Sequence, residues 1–182
     1  MNDSKQLLYF SDVIEDQANV LEDKPYILFE EEKVSFRQYF QRCCRITNGL
    51  TEHGGKPGDG LAILMGNCPE FLYLFYGLPM GGYYTVPINT GLKGEGLKFI
   101  LTNSDVKYLV IDDTLYPKIA AFDAPVDTIE KIFVNRTTET PLPEGTIDFK
   151  NLLEAYPEKP DHEIQAEQES VKIEKTLSGR KK

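Results

Sequence analysis

The sequence predicts an α/β chain, a mostly parallel sheet with flanking helices, preceded by a small β-hairpin. Three observations predict it. Short apolar runs at Leu61–Met65, Tyr83–Ile88, Lys107–Ile111 and Ile129–Val134 alternate with helical patterns, the order that specifies parallel strands joined by right-handed crossovers. The run Leu61–Met65 is apolar at every position, as in a strand covered on both faces. Upstream, two shorter strand-like pieces flank an acidic triplet, as in a solvated hairpin turn.

Taken in order, residues 7–21 carry a loose helical period through Leu7, Phe10, Val13, Ile14 and Leu21, with Ser11 or Asp12 available as a cap. Tyr26–Phe29 and Lys33–Ser35 form the hairpin around Glu30-Glu31-Glu32. Ser35 with Gln38 is a capping-box pattern. It opens a helix through Phe36, Tyr39, Phe40, Cys43, Cys44, Thr47 and Leu50 that Gly54-Gly55 ends. Arg37, Arg42 and Arg45 fall on its other face, expected to be solvated. Pro69 is placed to start a second, largely buried helix over Glu70–Leu78. Leu97, Ile100 and Leu101 mark a third, weakened by Gly96, and Leu115–Phe122 a short fourth. Beyond residue 135 prolines punctuate a polar chain. Residues 1–135 are therefore expected to form the α/β unit, and 136–182 a Pro-rich linker and polar tail with a short helix at Phe149–Tyr156.

A length of 182 residues, 41% of them hydrophobic, suffices for one buried core. The net charge of −9 is uneven: residues 1–32 hold nine acidic and two basic side chains. A pI near 4.8 argues against nucleic acid or an anionic membrane as partner. Phe71–Leu92 is uncharged, but its glycines and prolines would free backbone groups that lipid leaves unsatisfied, so no transmembrane segment is expected. Met1–Phe10 lacks the apolar core of a signal peptide. Cys43, Cys44 and Cys68 have no metal-ligand spacing and read as structural free thiols, which implies a reducing, cytoplasmic location.

Chemistry-bearing clusters are sparse. The two histidines are His53, at a helix end where it can cap, and His162. No catalytic triad or metal site can be assembled from them, so no catalytic or metal-binding residue is expected. Gly91–Gly96 lacks a phosphate-loop spacing and reads first as a flexible connection, second as a phosphate cradle. Asp112-Asp113, at a strand end, reads as turn residues or caps.

The blocks Lys33–Tyr39, Lys56–Glu70, Gly81–Asn89 and Leu92–Asp105 resemble, in order, "T-Y-x-E-L", "G-D-R-V-A-I-x-x-x-N-x-P-E", "G-A-V-x-V-P-L-N" and "L-x-x-x-E-L-x-x-I-L-x-D-S". These are opening motifs of the adenylate-forming (AMP-binding) acyl-CoA synthetase superfamily. The stretch Asn89–Glu95 is most similar to carnitine/crotonobetaine- and fatty-acid-type CoA ligases. The resemblance implies the N-terminal subdomain of that ligase fold. It implies ATP-dependent activation of a carboxylic acid to an acyl-adenylate, then thioester formation with CoA, with ATP, Mg and CoA used by the intact enzyme.

Where that family carries "T-S-G-T-T-G-x-P-K", this sequence has Lys175–Lys182 with a single Ser-Gly. The adenine motif and the lysine of the family's C-terminal domain have no counterpart. The expectation is an N-terminal portion truncated before the phosphate loop, inactive alone and binding none of these molecules tightly. Its partner would be the missing remainder of the ligase, which would cover helix 70–78 and strand 83–88. The alternative is a stand-alone α/β binding or interaction module derived from such a ligase. By resemblance, Asn89, Thr90, Gly91 and Lys93, at a strand C-terminal end, are the candidate contacts on the CoA side.

Overall fold

The computed structural model describes residues 10–159. Residues 160–182, and with them His162 and the Lys175–Lys182 segment, lie outside that range. Helix α1 (Phe10–Leu21) leads into strands β1 (Pro25–Phe29) and β2 (Glu32–Ser35), an antiparallel hairpin turned at Glu30, whose φ is +50°. Helix α2 (Phe36–Glu52) follows directly. The capping box forms as expected: Ser35 Oγ accepts from the Gln38 N–H at 3.2 Å, and Gln38 Oε1 accepts from the Ser35 N–H at 3.0 Å.

Then come β3 (Gly60–Leu64), α3 (Pro69–Met80), β4 (Tyr84–Pro87), α4 (Gly94–Asn103), β5 (Tyr108–Asp112), α5 (Pro117–Ala120) and β6 (Lys131–Asn135). The second sheet has the order β4-β3-β5-β6-β7, every pair parallel. Its last strand, β7 (Ile147–Asp148), falls in the stretch read from sequence as linker, and helix α6 (Lys150–Leu153) within the short helix expected there at Phe149–Tyr156. They are packed, not loose: Phe149 and Leu152 are fully buried in the core shared with α2. The prolines mark the loop 136–146, and the apolar positions after it are too few to show a period.

Alternating side chains of the central strands feed two cores. Leu61, Ile63, Tyr108, Val110 and Phe133 meet α1, α2, α3 and α6 on one face; Ala62, Leu64, Leu109, Ile111 and Val134 meet α4 and the α5 region on the other. The sheet is therefore covered on both sides, as parallel strands require. The uncharged run Phe71–Leu92 becomes a helix, a turn and an edge strand, and no described helix is long and apolar enough to cross a membrane. Pro79 sits in the last turn of α3, where it removes the bond to the carbonyl four residues back, and the helix stops one residue later at Met80.

On β4, the Tyr84 and Ile88 N–H groups donate to Asp59 O and Ile63 O, which turns Thr85 and Pro87 outward. A proline without an N–H blunts that open edge.

Arg37 is exposed as expected, whereas Arg42 and Arg45 are partly buried. Arg42 Nη1 bridges Glu32 Oε1 at 2.8 Å and the Tyr73 hydroxyl, so it ties the hairpin and α3 to α2. His53 is the C-cap of α2; its carbonyl accepts from Lys131 Nζ at 2.6 Å. The thiols of Cys43 and Cys44 are buried, and burial pushes Cys44 up to about 12, consistent with inert structural groups.

Helices α2 and α3 approach so closely that a Cβ on Gly77 would lie 2.8 Å from Cys43 Cα, while Thr47 Oγ1 donates to Gly77 O at 2.6 Å. Gly77→Ala should therefore lower unfolding free energy by ~1–3 kcal/mol. Gly96, on the open face of α4 with nothing within 4 Å, should behave oppositely, Gly96→Ala raising it by ~0.5–1 kcal/mol. Urea unfolding of both variants separates the two effects.

Candidate functional site at the strand ends

Because β3 to β7 are all parallel, their C-terminal ends share one edge of the sheet. Strand order reverses at β3. The chain goes from β3 through α3 to β4 on one side, then through α4 to β5 on the other. The two helices cover opposite faces, so the ends of the central strands lie at a topological switch point, the place where open α/β sheets bind ligands.

Asp112 ends β5 at this edge. It is only 8% exposed, and its carboxylate accepts from the Gly66 N–H at 2.7 Å and from Asn135 Nδ2 at 2.8 Å. One side chain thus joins the ends of β3, β5 and β6. The sequence reading of Asp112 as a turn residue or cap is corrected here: strand β5 runs through it, and its partners come from 46 and 23 residues away, which no local pattern reveals. Asp113 serves the next loop. Its Oδ1 accepts from the Thr137 N–H and hydroxyl at 3.2 and 2.6 Å, and its Oδ2 from the Thr138 N–H and hydroxyl at 2.9 and 2.6 Å.

Asn89, Thr90, Gly91 and Lys93 lie one strand over, after β4. Asn89 Oδ1 accepts from the Gly91 N–H at 2.8 Å, and the Leu92 N–H donates to Asn89 O at 3.0 Å, which folds the segment into a tight turn. Lys118 Nζ reaches across from α5 to the carbonyls of Thr90 and Leu92. The turn is thereby held from beneath, while Asn89, Gly91 and Lys93 stay exposed. Lys93 is the N-cap residue of α4, and Gly94 takes a φ of +55°. Gly91–Gly96 therefore splits into a turn and a helix start. The four candidates come together with one another; Gly66, Asp112 and Asn135, which the sequence reading missed, form the neighbouring floor.

A cavity of about 320 Å³ lies elsewhere, lined by Leu101, Leu109, Ile119, Phe122 and Ile132 among others. Those residues belong to the α4–α5 face and the N-terminal halves of β5 and β6, away from the strand-end edge. Among the described residues, no group of three or more His, Cys, Asp or Glu could hold a metal ion.

Comparison with known proteins agrees with this architecture. The family model described as "AMP-binding enzyme" matches residues 14–176, and the chain belongs to that family. Crotonobetaine/carnitine–CoA ligase from Salmonella paratyphi B is 36% identical over 108 residues, 57% of this chain and 21% of that enzyme. The same holds for the ligase from Salmonella heidelberg. The chain thus spans about a fifth of the length of the curated relatives it matches (21%).

Among solved structures, the anthranilate CoA ligase AuaEII in complex with anthranoyl-AMP superposes with a TM-score of 0.78 at 23% identity, over 89% of this chain and 32% of that one. A Mycobacterium tuberculosis fatty acyl CoA synthetase does so with a TM-score of 0.72 at 25% identity, over 84% and 30%.

Burial raises the Asp113 carboxyl, but the hydrogen bonds from Thr137 and Thr138 outweigh it and hold the group well below its ordinary 3.8. The folded value lies below the unfolded one. Ionised Asp113 therefore adds stability that is complete above about pH 4 and is lost as pH falls through the folded value. The melting temperature of Asp113→Asn should lie below wild type at pH 6, and the gap should shrink on acidification below pH ~3. A gap independent of pH would show that the carboxylate charge is not what holds the loop.

Proposed function

We propose that this chain is the N-terminal portion of an ATP-dependent, AMP-forming acyl-CoA synthetase. The observation that carries the reading is the family match over residues 14–176, supported by the 36% identity to crotonobetaine/carnitine–CoA ligase. In the intact enzyme a carboxylate oxygen attacks the α-phosphorus of ATP, releasing pyrophosphate and forming an acyl-adenylate. The CoA sulfur then attacks the acyl carbon and AMP leaves. The overall products are acyl-CoA, AMP and pyrophosphate, and Mg accompanies ATP as its counter-ion.

The described portion contributes scaffold and one wall to this chemistry. Its strand-end edge offers Gly66, Asp112 and Asn135 as a fixed floor and Asn89–Lys93 as a turn beside it. Lys93 supplies an exposed point charge suited to a phosphate of CoA. Alone, the chain is inactive and binds ATP and CoA weakly. Its place of action is the cytoplasm, in the metabolism of fatty or other small carboxylic acids, with the remainder of the ligase as its partner.

Reading the transcript beyond codon 182 tests the portion directly. An in-frame "T-S-G-T-T-G" continuation supports it. Micromolar binding of CoA or ATP by the chain alone, measured by isothermal titration, overturns it in favour of a stand-alone binding module. In the full-length enzyme, Lys93→Ala should raise the apparent KM for CoA severalfold with little change in kcat, roughly the ~0.5–1.5 kcal/mol of one exposed charge contact. An unchanged KM removes Lys93 from the site.

A further inference from the structure

We propose that Lys118 of α5 is a positioning residue for the CoA step: its ammonium draws two carbonyls of the Asn89–Lys93 turn inward, so that a CoA phosphate meets Lys93 and not those carbonyls. This rests on the ligase reading above.

Without such a tie the turn is a poor place for an anion. Asn89 Oδ1 already claims the Gly91 N–H, and the carbonyls of Thr90 and Leu92 would repel a phosphate that they faced. Lys118 Nζ donates to both, to Leu92 O at 3.2 Å and to Thr90 O. No peptide bond among the described residues is cis, so an inward Leu92 carbonyl sends the Lys93 N–H to the opposite side of its peptide.

The anchor itself is fixed at the strand-end edge. The N–H groups of Leu115 and Tyr116 donate to Asp112 O at 2.9 and 3.1 Å, and the Lys118 N–H donates to Leu115 O at 3.0 Å. Leu115, Tyr116 and Ile119 pack against the second core. The segment carrying Lys118 thus starts from the residue whose carboxylate ties Gly66 and Asn135, and Lys118 passes that fixed position on to the turn.

Charge argues for more than a structural tie. Lys118 is half-buried, yet among the described residues no carboxylate pairs with it or with exposed Lys93, not even Glu95 in the first turn of α4. Two backbone carbonyls need only a neutral donor. An ammonium drawn out of water without a counter-charge costs more than that. In a chain of net charge −9, one turn therefore carries two uncompensated positive charges, and a phosphate at Lys93 balances both.

Kinetics of the full-length enzyme test this. Lys118→Met should raise the apparent KM for CoA about tenfold, with kcat and the KM for ATP within about twofold of wild type. Lys118→Arg, which keeps the charge and the donors, should recover at least about half of that loss. Because Lys118 acts through the turn, Lys93→Ala combined with Lys118→Met should raise KM no further than the larger single change. In the 182-residue chain, the amides of Gly91 and Leu92, both bonded within the turn, should exchange about tenfold faster in Lys118→Met. Wild-type protection of Leu61–Leu64 in the same variant separates a loosened turn from a loosened fold. Should Lys118→Met not fold, Lys118→Gln, which removes the charge and shortens the reach, is expected to move the same two readouts in the same direction.

An unchanged KM for CoA in the folded variant overturns the proposal. So do wild-type exchange rates at Gly91 and Leu92, and KM changes of the two lysines that multiply. A wild-type enzyme that makes no acyl-CoA removes the ligase reading and this proposal together. Acyl-CoA formation to which Lys118→Met is indifferent removes this proposal alone.

Discussion

The whole arrangement depends on one constraint: a parallel sheet cannot leave either face in water. Strands β3 and β5 are buried at every residue, and their side chains alternate between two separate cores. Everything else follows from covering both. Helices α2, α3 and α6 must lie on one face and α4 with the α5 region on the other. That division forces the chain to leave β3 in one direction and return on its far side. The reversal in turn makes the strand ends a topological switch point. The fold and its candidate site are thus one consequence of burying β3.

Close backbone contact makes this covering tight. Gly77 lets α3 reach α2, and a Cβ on Gly49 would lie 2.4 Å from Leu152 O, so α6 sits directly on the α2 backbone. At the strand-end edge, the single side chain of Asp112 links the ends of three strands through Gly66 and Asn135. A carboxylate accepting from a backbone N–H and an amide holds these loops in register without an apolar core of their own. The site is therefore prebuilt as a floor.

Much of this was legible in the amino-acid pattern, and the exceptions have physical reasons. The capping box at Ser35 and Gln38, the all-apolar Leu61–Leu64 and Pro69 at a helix start are local signals, and each produced the element it specified. Resemblance over four ordered blocks carried the superfamily. The turn Asn89–Lys93 was legible as a strand-end loop, but the Lys118 clamp beneath it spans 28 residues and leaves no local trace. Asp112 was misread because an acidic residue after an apolar run is solvated more often than buried. Strand β7 was misread because two strand residues are shorter than any period, whereas the short helix expected at Phe149–Tyr156 is present as α6. Arg42 looked solvated on a helical wheel, and only the hairpin folding back beside α3 gives it Glu32 and Tyr73.

Amide hydrogen exchange on the full chain tests most directly the claim that double burial of the central strands organises the molecule. The slowest-exchanging amides should be those of Leu61–Leu64 and Leu109–Ile111, released together at the free energy of global unfolding, with β4 exchanging earlier by local opening. Exchange of the β3 amides as fast as those of edge strand β4 would contradict the account.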